Sequence, residues 1–230
     1  MNILIAGAHG TTGKQIIGEL SKNPQMNVYG MIRKEEQAQT IKELGGHPIL
    51  ADLEGNVDKA VDNMEAIIFA AGSGPKTGPD KTTAVDKNGA IKLVDAAKKK
   101  GIERFVMLSS VGSDHPERAQ EEMRHYLEAK HDADEHLKAS GLTYTIVRPV
   151  TLTNEQAIGK IFADEKVDHT DKSIPRADVA SVLAQSVTEE KTFNKTFEIL
   201  KRPLPNQRGT EQYLRQHEKG AGVKSPWTRL

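Results

Sequence analysis

The chain has 230 residues, with 32 Lys and Arg balanced by 32 Asp and Glu, so the whole molecule has no electrostatic reason to seek nucleic acid or an anionic membrane. It contains no cysteine, which excludes disulfides, zinc–thiolate sites and thiol catalysis and suits a reducing compartment. No apolar run approaches the ~20 residues of a membrane span, and the opening MNILIAGAHG lacks the basic segment of a signal peptide, so the cytoplasm is the expected location.

Along the chain, short apolar and β-branched runs alternate with longer helical patterns, the signature of βαβ units and a parallel sheet. The pattern predicts strands at Asn2–Ala6, Asn27–Ile32, Pro48–Ala51, Ala66–Ala70, Arg104–Ser109, Thr143–Val147 and Thr196–Ile199. Helices are predicted at Thr11–Lys22, Glu35–Leu44, Val57–Asn63, Val85–Lys100, Gln120–Ala139 and Arg176–Thr188, with Gly101 and Ser140–Gly141 as stops for two of them. The Gly- and Pro-rich stretch 72–79 is a loop after the fourth strand, where the ligand crevice of an open parallel sheet lies.

The first strand runs into Gly7-Ala8-His9-Gly10-Thr11-Thr12-Gly13 and then a helix. Glycines at this spacing turn the chain sharply, admit a pyrophosphate close to the backbone and let helix pack on strand, while the helix N-terminus offers free amides to phosphate. Thr11 and Thr12 can cap the helix or donate to phosphate, and His9 can donate as well. The strand–loop–helix context makes this a dinucleotide site. At the end of the second strand, where an NAD site carries an acid for the ribose hydroxyl, the chain has Arg33 and Lys34, which favours the 2′-phosphate of NADP over NAD.

The sequence resembles the atypical short-chain dehydrogenases of the NAD(P)-binding, NmrA-like group, within the epimerase/dehydratase-like superfamily. The matching pieces include AGAHGTTGKQI, ADLEG at 51–55, FAAGSG at 69–74, VDKNGAIKLVDAAKKKGIERFVMLSSVGSD at 85–114, YLEAKHDADEHLKASGLTYTIVRP at 126–149 and IPRADVA at 174–180. The resemblance implies a Rossmann-type doubly wound parallel α/β sheet of about seven strands, helices on both faces, over residues 1–200. A small substrate-side segment is expected at about 150–175. It further implies that Asp52 and Leu53 sit over the adenine, that Ala70, Ala71 and Gly72 lie against the ribose, and that Ser109, Arg148 and Pro149 lie near the nicotinamide end.

Tyr126 and Lys130 form Y-x-x-x-K, a spacing that puts both on one helical face. By the resemblance Tyr126 is a general acid, Lys130 tunes it and holds the nicotinamide ribose, and a hydroxyl at the fifth strand's end, best Ser110, completes the set. Asp86 stands where the superfamily commonly has Asn. His115, His125, His131 and His136 lack the i, i+4 spacing of metal-binding helices, so no metal is expected. Two functions remain open: an oxidoreductase passing hydride to a small carbonyl, quinone or flavin-like substrate, and a redox sensor binding NADP without turnover. Finally, residues 201–230 carry seven Lys and Arg against two Glu, a basic C-terminal extension with a short helix expected at Thr210–Glu218. Its single Trp227 is expected to dock on the folded body or on a second copy of the chain, as a homodimer.

Overall fold

The computed structural model describes residues 1–74, 77–168 and 171–202. Of the extension expected at 201–230, Lys201 belongs to the last strand, and residues 203–230, with Thr210–Glu218 and Trp227, lie outside the described residues.

Among the described residues ten strands form: β1 Asn2–Ala6, β2 Asn27–Ile32, β3 His47–Leu50, β4 Ala66–Phe69, β5 Arg104–Leu108, β6 Thr143–Pro149, β7 Thr151–Thr153, β8 Ile161–Asp164, β9 Ser173–Pro175 and β10 Lys195–Lys201. The main sheet has the order β3-β2-β1-β4-β5-β6-β10-β8, with the first seven parallel and β8 antiparallel to β10. The strand order reverses between β1 and β4, so their carboxyl ends open a crevice there. A separate two-stranded sheet pairs β7 with β9, within the stretch 151–175.

The helices are α1 Thr11–Leu20, α2 Ala38–Glu43, α3 Pro79–Lys81, α4 Ala90–Lys100, α5 Glu121–Ala139 and α6 Arg176–Ser186. Strand alternation explains the two cores. In β1, Ile3 and Ile5 face a cluster completed by Ile16 and Ile17 of α1 and Val179 and Leu183 of α6. Leu4 and Ala6 face the opposite cluster, with Leu93 and Val94 of α4 and Ala133 and Leu137 of α5. Lys98, Lys99 and Lys100 occupy the last turn of α4, complementing the helix dipole, and Gly101 (φ +71°) stops it.

Two helix expectations change. Val57–Asn63 is a string of turns, because Asn56 bonds the Asp58 amide at 2.7 Å and Asn63 takes φ +62°, both competing with a helix only seven residues long. The helix expected from Val85 begins earlier, as α3 followed by a π-helical stretch Thr82–Gly89 that leads into α4. Wide turns of this kind recur at functional sites.

Candidate functional site

The loop after β1 is a cradle made of backbone. Gly7 takes φ +84°, and a Cβ there would lie 2.6 Å from the Ala71 backbone at the end of β4. A Cβ on Gly13 would stand 2.2 Å from the Gly7 carbonyl. These two glycines therefore bring β1, β4 and α1 into contact. Gly10 differs: it is exposed, at φ −69°, and its only close neighbour would be the Gly7 carbonyl at 3.2 Å. It caps α1 without a side-chain bond, and the first turn holds no acid, so the amides there are left for an anion. Thr11 is exposed beside them, whereas Thr12 is buried and its side chain is withdrawn from the loop surface. Partial burial and the Lys14 charge hold His9 below its ordinary value, so the ring is neutral at pH 7 and can still donate one bond.

Arg33 and Lys34 are exposed at the end of β2. Their amides are fixed by the Gln37 side chain at 3.0 and 3.3 Å. Lys34 pairs loosely with Glu36 at 3.4 Å, and Arg33 forms no ion pair among the described residues. Asp52 accepts the Glu54 amide at 3.0 Å in a local turn. The side chain of Leu53, expected over the adenine, is buried and packs against Gly89. Ala70 is half-buried, Ala71 buried and Gly72 exposed on the crevice edge.

Tyr126 and Lys130 share a face of α5, with the ammonium 5.7 Å from the Tyr126 ring centroid. Lys130 is only 3% exposed. Its Nζ donates to the Leu108 carbonyl at 3.3 Å, at the end of β5, and lies 3.1 Å from Asp86 Oδ1. Burial opposes the charge, but Tyr126, Asp86 and Asp134 outweigh it and hold the ammonium above its ordinary value. Lys130, expected to hold the nicotinamide ribose, here carries an internal ion pair with Asp86. Asp86 hangs from the π-helical stretch and also accepts the Ser73 amide at 2.9 Å, tying the loop after β4 to α5. Ser110 follows β5, half-buried, its hydroxyl donating to the Val111 carbonyl at 3.2 Å.

Two expected contact residues face inward. The Ser109 hydroxyl donates to Asp134 Oδ2 at 2.8 Å, and the Arg148 guanidinium donates to the same oxygen at 3.1 and 2.9 Å. Pro149 is buried at the end of β6. The side chains of Ser109 and Arg148 compensate Asp134, which is itself unexposed and needs donors. Burial pushes the Asp134 carboxyl above its ordinary range, although Arg148, Ser109 and Ser113 pull the other way. Asp134 continues the i, i+4 series of Tyr126 and Lys130, and that spacing was the signal available in the sequence.

Residues 7–190 match the family described as NAD(P)H-binding. The chain belongs to that family. This NAD(P)H-binding protein is 39% identical over 208 residues to YhfK of Bacillus subtilis, described as an uncharacterized sugar epimerase, covering 89% of this chain and 96% of the relative. Among solved structures, it is similar to an NAD-dependent epimerase/dehydratase candidate from Bacillus halodurans, with 42% identity, a TM-score of 0.85 and coverage of 92% and 99% of the two chains. The oxidoreductase ylbE from Lactococcus lactis follows with 28% identity, a TM-score of 0.78 and coverage of 97% and 100%. The glycine cradle fits a dinucleotide on its own geometry, since the space above Gly10 is where a pyrophosphate would meet uncapped amides. Among the described residues, no helix is long and apolar enough to cross a membrane.

Proposed function

We propose that the protein is an NADPH-dependent reductase of a small carbonyl, quinone or flavin-like acceptor. The observation that carries this reading is the Gly7–Gly13 cradle with Arg33, in no ion pair among the described residues, at the end of the neighbouring strand. The similarity to the Lactococcus lactis oxidoreductase supports it. When bound, the cofactor supplies hydride. The chain's own residues do the rest: α1 amides and Thr11 hold the pyrophosphate, Arg33 grips the 2′-phosphate, and Ser110 orients the acceptor oxygen. Tyr126 delivers a proton to that oxygen, and Lys130 beneath the ring favours the anion left behind.

Calorimetric titration with NADPH and NADH tests the cofactor choice. Arg33→Ala is expected to remove most of the preference for NADPH, a loss of about 1.5–3 kcal/mol for one charge-assisted phosphate contact. Equal affinities in the wild type would sink the assignment.

One observation favours a second reading, an NADP-binding sensor without turnover. The Lys130 charge is shared with Asp86, so less of it acts on Tyr126. Steady-state oxidation of NADPH with a quinone, flavin and aldehyde panel separates the two. For the reductase, Tyr126→Phe should lower turnover about 10²-fold with cofactor affinity unchanged. No turnover in the wild type would move the protein to the sensor class.

A further inference from the structure

The chain turns sharply after β5, and the residues that make the turn are stitched one after another to α5. Lys130 Nζ donates to the Leu108 carbonyl at 3.3 Å. The Ser109 hydroxyl donates to Asp134 Oδ2 at 2.8 Å, and the Ser113 hydroxyl donates to the same oxygen at 3.1 Å. The Ser113 carbonyl accepts from Nδ1 of His131, also on α5, at 2.8 Å. Between these anchors the backbone closes on itself. The Ser113 amide bonds the Ser110 carbonyl at 3.3 Å, and Gly112 takes φ +82°. On the far side, the Val111 amide bonds the Pro149 carbonyl of β6 at 3.2 Å. Ser110 lies within this frame, half-buried, with its hydroxyl turned to the neighbouring Val111 carbonyl.

Asp134 is wholly buried, yet its donors are unevenly shared. Both serines and two nitrogens of Arg148 converge on Oδ2, and no donor reaches Oδ1 among the described residues. A carboxylate kept only for stability is best satisfied on both oxygens, because each bare one costs free energy. This one is arranged around the turn. Asp134 also stands two steps of four residues beyond Tyr126, with Lys130 between them. One rigid helix therefore joins the proton donor to both anchors of the Ser110 turn. Groups that act together on one atom must be held to within about 0.5 Å of their working geometry, and a frame of this kind supplies that.

We propose that Asp134 is a positioning residue: through Ser109 and Ser113 it aims the Ser110 hydroxyl at the acceptor oxygen that Tyr126 protonates. This role rests on the reductase reading above and narrows it. Two groups held on one oxygen suit an acceptor whose oxygen gains charge on hydride transfer, a quinone or another carbonyl. A flavin takes hydride on a ring nitrogen instead. The test is steady-state oxidation of NADPH with menadione, benzaldehyde and FMN. Ser113→Ala, which leaves the Asp134–Arg148 pair intact, should lower kcat with menadione about tenfold, because the hydroxyl of Ser110 is then misplaced. KM and NADPH affinity should stay within about twofold. In a Ser110→Ala background the same change should cost less than about twofold, since its effect passes through Ser110. Asp134→Asn should behave likewise in both backgrounds, and Ser113→Ala carries the test if that variant does not fold. Ser113→Thr keeps the hydroxyl and should restore the rate. In the cofactor-free protein, hydrogen exchange at the Val111 amide should accelerate in Ser113→Ala and not in Ser113→Thr. An equal loss of kcat in both backgrounds, NADPH affinity falling in parallel, or unchanged exchange overturns the proposal. If the wild type reduces FMN alone, the positioning role falls and the reductase reading stands. If it reduces none of the three, both fall.

Discussion

Asp86→Asn is expected to destabilise the protein by about 3–5 kcal/mol, and adding Lys130→Met is expected to recover much of that loss. The single change leaves the Lys130 ammonium buried, 3.1 Å from a neutral amide, with the Leu108 carbonyl as its one hydrogen-bond acceptor among the described residues. The double change removes the stranded charge, and methionine fills a similar volume. The pair's contribution has a defined pH window. Because Lys130 is held above its ordinary value in the folded state, the stabilisation is complete below the unfolded lysine value and is lost only as pH rises through the folded one. Urea unfolding at neutral pH, with constant slope, reads the difference. A neutral Asp86→Asn would show that the ammonium has other partners or is not charged there.

Gly10→Val and Gly13→Val are expected to fail in different ways. At Gly13 a Cβ meets backbone atoms at 2.2 and 2.9 Å that cannot move without separating α1 from the loop, so we expect a loss of about 3 kcal/mol or more in stability. At Gly10 the backbone already sits where any residue fits and the one neighbour is at 3.2 Å. Its valine should fold, but the branched side chain stands over the uncapped amides. NADPH affinity should drop at least about 10²-fold, since backbone approach to the pyrophosphate is what the glycine permits. Thermal melting together with fluorescence titration of NADPH separates the two cases. A folded Gly10→Val with wild-type affinity would remove the cradle as the binding site.

Most of the sheet was legible because β1, β2, β4, β5 and β6 are apolar runs bounded by turn residues, and buried parallel strands carry that pattern. Gly101 and Ser140–Gly141 likewise marked helix ends by local chemistry alone. By contrast β7, β8 and β9 are three or four residues long, with no alternation to read, and they exist only because β10 and α6 hold them. The same distinction divides the site. The glycine cradle, Tyr126 and Lys130 lie within single motifs. The inward turn of Ser109 and Arg148 depends on Asp134, 25 and 14 residues away, and no local pattern announces that meeting. The burial of the Leu53 side chain was not legible either, because the resemblance gives position along the chain without telling which way a side chain points.

The order in which the chain leaves the ribosome gives the packing of α1 a further significance. By the time β4 has emerged, both strands that flank the dinucleotide loop exist. The apolar cluster beneath α1 nevertheless stays open until α6 arrives, and β8 has no neighbour until β10 is made. A nascent chain halted before Arg176 would therefore carry a nearly finished nucleotide loop over a bare greasy surface. Such intermediates are the usual targets of chaperones, and here α6 and β10, late in the chain, are the elements that close this part of the molecule.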